Sequence, residues 1–415
     1  MGERIIKIGI FGCGRGASFA GASNQHIGVE VVALCDKNVE KMNKLNERLN
    51  VATYTDFDAF IKHDGMDAVV LTNYFHEHAP YAIKSLHAGK HVLSECVCNA
   101  TLKEGVELCE AVEETGLIYM LAENYPYTKF NQEFRNLYQK GEIGEILYAE
   151  GEYNHSPTNA PHAGYPLHDG PDHWRFWNTP TSYCTHAIAP LVYVTGQMPV
   201  QVNTQVARLT SNTGMRDNGF IMVMKTTNGS IFRTMGGFPG HSNHYRFHGT
   251  KGAMEMTRGP GYFGPEQVRV WHEDLNVPDG LPLERTYVPN WPEYAELASR
   301  ASHGGGDFWL NYHFATAIRT NTQPFLNVYR GVGISSVGIF GWMSALENGK
   351  TFRIPDFSDK AEREQYRHDN YSPYPTKEDS TWIRNTIRPD ATVEMAREAV
   401  LERWEQLKVR YGIKD

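Results

Sequence analysis

The chain has 415 residues, a formal net charge of −8, and 41% hydrophobic and 21% charged residues, proportions of a globular rather than a disordered protein. That length exceeds what one hydrophobic core comfortably organises, so two domains are expected. No basic run of the kind that tracks a phosphate backbone occurs, and no stretch is apolar for long enough to cross a bilayer; neither nucleic acid nor membrane is an expected partner.

The first apolar run, residues 5–11, is too short for a signal core and stops at Gly12, which predicts a strand and a cytoplasmic protein. Further β-type runs follow at 29–35, 68–71, 91–93 and 118–121, and helical-period segments lie between them at 17–25, 39–49, 80–88 and 102–115. Strand–helix alternation with short connections implies a parallel sheet covered on both faces, wound by right-handed crossovers. After about residue 125 the texture changes. A helix at 130–139 ends at Gly141, and strands are expected at 146–153, 201–209, 219–226, 230–235 and 244–249, with Asn228-Gly229 as a turn between two of them. Strands that follow one another without helices form an open, mostly antiparallel sheet. Helices at 307–320 and 331–348 return to it, and a last amphipathic helix spans 393–409.

The expected fold class is therefore α/β, with a Rossmann-type doubly wound parallel sheet at residues 1–125 and an α+β substrate and oligomerisation domain at 126–355. A tail at 356–415 follows. An open sheet leaves a face and edges to cover, so a homo-oligomer is expected. Six cysteines, five of them in the first 110 residues at strand ends and helix faces, do not form a disulfide framework. Tyr, Trp and His concentrate between Tyr148 and His186, suited to stacking on a sugar face and bonding its hydroxyls.

Gly12-Cys13-Gly14-Arg15-Gly16-Ala17 follows a strand and opens a helix. In that setting the first glycine permits a tight turn, the second lets backbone N–H groups approach a pyrophosphate, and the helix N-terminus favours the anion. Asp36 closes the second strand about 20 residues on, where an acid bonds the ribose hydroxyls and repels a 2′-phosphate. NAD is the expected cofactor.

The glycine turn, Thr72 with His76-Glu77-His78-Ala79-Pro80, and Gly89-Lys90-His91-Val92 leading to Glu95 resemble the Gfo/Idh/MocA family of sugar-directed, NAD(P)-dependent enzymes. The resemblance implies that Gly12, Gly14, Arg15, Gly16 and Asp36 hold the dinucleotide, and that Thr72, Asn73, His78, Glu95 and Asn124 line its nicotinamide-ribose side. One departure matters. Typical dehydrogenases of that family carry Glu-Lys-Pro after the fifth strand, with the lysine as acid/base; here the run is Glu95-Cys96-Val97. A buried neutral thiol is a poor substitute for an ammonium proton donor.

His173-Trp174-Arg175, Tyr183-Cys184-Thr185-His186 and His303-Gly304-Gly305-Gly306-Asp307-Phe308 are similar to segments of NAD-dependent α-N-acetylgalactosaminidase-like glycosidases, a branch that also lacks the lysine. Gly151-Glu152-Tyr153-Asn154-His155 and Ile354-Pro355-Asp356-Phe357 fit the same branch. That likeness implies transient oxidation of a hydroxyl at ring carbon 3 by tightly held NAD. The ketone acidifies the proton on carbon 2, the aglycone leaves carbon 1 by elimination, water adds, and the alcohol is restored. Such a cycle needs bases and a group that stabilises the enolate oxygen. Tyr183, His186 and His155 are the expected proton carriers, Arg175 the enolate or sugar-oxygen partner, and His173, Trp174 and His303 further substrate contacts. The same residues have structural readings: Tyr183 as a packed aromatic, His186 and His173 as core or cap histidines, His303 as a loop stabiliser. His155, His162, His168, Asp169, Asp172 and His173 lack ligand-motif spacing, so no metal is expected. Two other functions fit the sequence: a net sugar or glycoside 3-dehydrogenase feeding a separate lyase, and a non-catalytic NAD(H) sensor.

Overall fold

Strand β1 (Ile6–Phe11) is buried at all but one position because helices cover both faces of the sheet it centres. The computed structural model describes residues 4–155, 170–238, 240–260 and 264–413. Around β1 are β2 (Val29–Cys35), β3 (Ala52–Tyr54), β4 (Ala68–Leu71), β5 (His91–Ser94) and β6 (Tyr119–Leu121), all parallel, in the order β3-β2-β1-β4-β5-β6. This is the doubly wound arrangement, and its strand order reverses between β1 and β4. A crevice opens there at the carboxyl ends of the strands.

One expectation fails. Residues 17–25 do not form a helix; a single turn at Cys13–Gly16 and a 3-10 segment at Ala22–Ile27 replace it. Gly21 is extended between them. The Phe19 carbonyl accepts the side-chain amides of Asn24 at 2.7 Å and Asn311 at 3.0 Å instead of a backbone N–H. Strand β3, too short and polar to stand out in the sequence, is the unexpected sixth member.

The second sheet has nine strands and is mostly antiparallel. Chain order gives β7 (Ile146–His155), β8 (Pro199–Val206), β9 (Phe220–Thr226), β10 (Ile231–Gly236), β11 (His241–Gly249), β12 (Gly252–Met256), β13 (Val268–His272), β14 (Glu284–Tyr287) and β15 (Phe352–Arg353). Within this sheet, among the described residues, β7 and β10 alone pair in parallel, in the centre of the order β14-β13-β12-β11-β7-β10-β9-β8-β15. Alternation decides the faces. In β9, Phe220, Met222 and Met224 are buried while Ile221 and Val223 are exposed. The inner face carries the helix Thr185–Thr195, which the sequence did not announce, and the helix Val328–Leu346.

That first helix fixes the site. A Cβ at Gly151 of β7 would lie 2.0 Å from the Ala187 carbonyl oxygen, so only glycine lets strand and helix touch. The Tyr245 hydroxyl donates to the His186 carbonyl at 2.7 Å from the neighbouring strand. The tail then crosses back over both sheets' edges: Tyr374 stacks on His76 with centroids 4.4 Å apart and its hydroxyl donates to Asn178, while Lys377 donates to the His76 carbonyl at 2.7 Å. The expected terminal helix runs Val393–Tyr411.

Gly151→Ala is expected to overpack this contact, destabilise the protein by about 1–3 kcal/mol and displace His186. A lowered denaturation midpoint with weakened activity checks it.

Candidate active site

The carboxyl ends of five of the parallel strands lead into the crevice: Gly12 follows β1, Asp36 β2, Thr72 and Asn73 β4, Glu95 and Cys96 β5, and Glu123 and Asn124 β6. Gly12 has φ 100°, and a Cβ on it would sit 2.5 Å from the Thr72 carbonyl oxygen. Gly14 is exposed, with open space where a side chain would project. The close helix–strand approach falls on Gly16, whose Cβ would lie 2.4 Å from Ile10. Asp36 accepts the Cys13 N–H at 2.6 Å and the Asn38 N–H at 2.7 Å, one on each oxygen, which fixes the carboxylate beside the turn.

On this side the buried Oδ1 of Asn124 has no hydrogen-bond partner among the described residues. Nδ1 of His78 bonds the Val97 carbonyl at 3.0 Å. Buried polar atoms left unpaired mark a missing ligand. With an open glycine turn and a fixed acid at the ribose position, the residues fit a dinucleotide.

Arg15 takes a role the sequence did not assign. Its Nε donates to Glu95 at 2.6 Å, and its terminal nitrogens grip both oxygens of Asp307 at 2.9 and 2.7 Å. Asp307 also accepts from Asn124 at 2.9 Å and bonds His303 at 2.9 Å. Burial opposes ionisation of Asp307, yet Arg15 and His303 hold its carboxyl well below the usual range. A left-handed run at His303, Gly304 and Gly305 makes the geometry possible. The helix Gly306–Thr320 then starts so close to Asn124 that a Cβ on Gly306 would lie 2.4 Å from its carbonyl oxygen. His303 therefore belongs to the cofactor side, in the Arg15–Asp307 network.

On the other side, Tyr183, His186, Arg175 and Trp174 do come together. His186 is packed among Tyr125, Tyr153 and Tyr183, with centroids 4.3, 4.6 and 4.8 Å away. Its Nδ1–H donates to Oε1 of the fully buried Glu123 at 2.5 Å, which makes the opposite nitrogen of a neutral ring an acceptor. Arg175 lies over the Trp174 ring at 4.1 Å and the Tyr183 ring at 5.7 Å. Phe75, from the loop after β4, stacks on Trp174 at 4.7 Å and meets Tyr183 at 5.5 Å, joining the aromatic wall to the cofactor crevice. His173 accepts the Arg175 N–H at 3.2 Å and caps the turn Trp174–Phe176. His155 ends β7, its side chain outside the described residues, as are His162, His168 and Asp169.

Burial pushes the Tyr183 hydroxyl well above its ordinary value, and Cys96, Glu95 and Glu123 push the same way, against Arg175. A proton carrier with a lowered value is the opposite of what stands there: Tyr183 rests protonated. Burial with the same carboxylates also raises the Cys96 thiol, which stays neutral. Glu123 and Asp307 were missed in the sequence. One signal was present for Glu123, since acids close β2, β5 and β6 alike.

Residues 6–123 match the family model described as an oxidoreductase family with NAD-binding Rossmann fold, residues 131–255 a GFO/IDH/MocA C-terminal domain, and residues 239–363 a glycosyl hydrolase 109 C-terminal domain. The chain is 24% identical over 418 residues to a glycosyl hydrolase family 109 protein of Stenotrophomonas maltophilia (strain K279a), covering 86% of this chain and 89% of the relative. It is 22% identical to one of Saccharopolyspora erythraea over 86% of this chain and 84% of that protein. Among solved structures, levoglucosan dehydrogenase in complex with NADH and L-sorbose superposes with a TM-score of 0.71 at 18% identity, covering 85% of this chain and all of the other. Myo-inositol 2-dehydrogenase from Lactobacillus plantarum gives 0.62 at 19% identity over the same shares. These two likenesses establish the fold.

Replacing Asp307 with Asn is expected to cost about 1–3 kcal/mol at pH 7 by loosening Arg15. A carboxyl held low in the folded protein stabilises above its unfolded value, about 3.9, and loses that effect as pH falls below it. The gap in urea midpoint between wild type and Asp307→Asn should therefore narrow from pH 7 to pH 3.

Proposed function

From a chain built of Gfo/Idh/MocA domains with a glycosyl hydrolase 109 C-terminal domain, we propose redox-assisted cleavage of a glycoside. The hydroxyl at ring carbon 3 is oxidised, the bond at carbon 1 is broken by elimination, water is added, and the alcohol is restored. The observation that carries this reading is the buried Glu123–His186 pair set beside Tyr183, at a place where the lysine of ordinary family dehydrogenases is replaced by Cys96. When bound, NAD supplies a hydride acceptor for carbon 3 and returns the hydride at the end of the cycle.

The chain's own groups divide the remaining work. Glu123 fixes the tautomer of His186 and stabilises the imidazolium that forms when the ring takes a proton. Tyr183, protonated at rest, acts as the donor at the elimination step: its hydroxyl protonates the departing oxygen, Arg175 beside it stabilises the tyrosinate, and the tyrosinate takes a proton back from the water that adds to carbon 1. Arg175 offers its fixed fork of donors to the enolate oxygen. The stacked Phe75–Trp174 pair gives the sugar an aromatic wall. Tyr125, Tyr153 and the helix Thr185–Thr195 close the floor around His186.

The open outer face of the second sheet, with Ile221, Val223 and Ile231 exposed, is read as a subunit interface.

Protein purified with its cofactor is expected to release aglycone from a chromogenic glycoside, drawn from a panel of both anomers, without added NAD. His186→Ala and Tyr183→Phe should each lower turnover about 10²–10⁴-fold while NAD affinity is kept. NADH accumulating in proportion to substrate, with no bond cleaved, would instead establish the net sugar 3-dehydrogenase. Unchanged turnover in both variants would favour a sensor.

A further inference from the structure

Among the described residues, one group of metal-ligating side chains comes together. The Cys96 sulfur, a Glu123 carboxylate oxygen and a His186 ring nitrogen lie within 4.8 Å of one another, all on buried residues. They arrive from the end of β5, the end of β6 and the first turn of the helix Thr185–Thr195, so no spacing in the sequence joins them. Oε2 of Glu123 is buried and has no hydrogen-bond partner. A buried carboxyl oxygen left so is costly, and a bound cation would answer it.

The donor chemistry selects the cation. Thiolate, imidazole and carboxylate together suit Zn²⁺ and its neighbours, whereas Mg²⁺ and Ca²⁺ require oxygen. Three protein ligands leave a fourth position for water or a sugar oxygen.

We propose that Cys96, Glu123 and His186 bind a thiophilic divalent cation of the Zn²⁺ class, and that this cation and the base role of His186 exclude each other. On binding, the Cys96 thiol releases its proton to solvent and the sulfur bonds the metal, with no change of oxidation state. A metal on the free ring nitrogen takes the lone pair that would accept a proton, and a metal on Nδ1 displaces the proton shared with Glu123 onto the other nitrogen; in either case the ring no longer acts as a base. The metal-free protein is the active form, and zinc silences it. This consequence rests on the function proposed above; the site itself does not.

Tag-free protein, stripped by chelator and titrated with Co²⁺, is expected to take up about one equivalent and to gain thiolate-to-cobalt absorption in the near ultraviolet. Cys96→Ser should lose that absorption and bind Co²⁺ about tenfold or more weakly, with circular dichroism and NAD binding unchanged; Cys96→Ala serves if serine does not fold. No stoichiometric uptake, or the same absorption in the variant, overturns the site. Because uptake is read without substrate, its failure leaves the proposed function standing. With a cleavable glycoside, Zn²⁺ should inhibit wild type while Cys96→Ser escapes; equal inhibition of both overturns the exclusion.

Discussion

A carboxyl group buried as completely as Glu123 is tolerable only where it is hydrogen-bonded, and His186 bonds one of its oxygens at 2.5 Å. The pair constrains much else. His186 must be delivered by a helix that lies flat on the second sheet, and the helix Thr185–Thr195 does so because Gly151 lets it touch β7. Glu123 must hang from the end of β6, at the carboxyl edge of the parallel sheet. The pair thus ties the cofactor-binding sheet to the substrate side through one hydrogen bond.

A second polar network lies across the crevice and does different work. Arg15, rising from the glycine turn, is shared between Glu95 and Asp307, so the turn that faces a pyrophosphate is braced by the helix Gly306–Thr320. In the function proposed above, one network holds the cofactor's seat and the other prepares a base. Between them sit Cys96 and Tyr183, both kept neutral by burial beside carboxylates. The thiol of Cys96 is a poor replacement for the ammonium proton donor of ordinary family dehydrogenases. In the proposed function, proton transfer falls to the histidine and the tyrosine.

Legibility followed the range of the interactions. The glycine turn, Asp36 and most strands of the parallel sheet were readable because their signals are local: a turn that needs positive φ at Gly12, and apolar runs covered on both faces. The helix expected at 17–25 was not, because Asn311, nearly 300 residues away, helps to satisfy the Phe19 carbonyl. Strands β12, β13 and β14 passed unnoticed because they are short and half polar. Within the site, Tyr183, His186 and Arg175 were found through resemblance to known segments, and the structure brings them together. Glu123 and Asp307 were missed for a common reason: each acts through a partner more than 60 residues distant in sequence. His303 and Arg15 were recognised as site residues but are bonded to carboxylates, which spacing alone does not reveal.

The most direct measurement is isotopic. Glycoside cleavage run in deuterated water, followed by mass analysis of the released sugar, reports whether the proton on carbon 2 is exchanged during turnover. Oxidation at carbon 3 followed by elimination predicts deuterium at carbon 2 in the product. Cleavage that leaves carbon 2 fully protonated contradicts it.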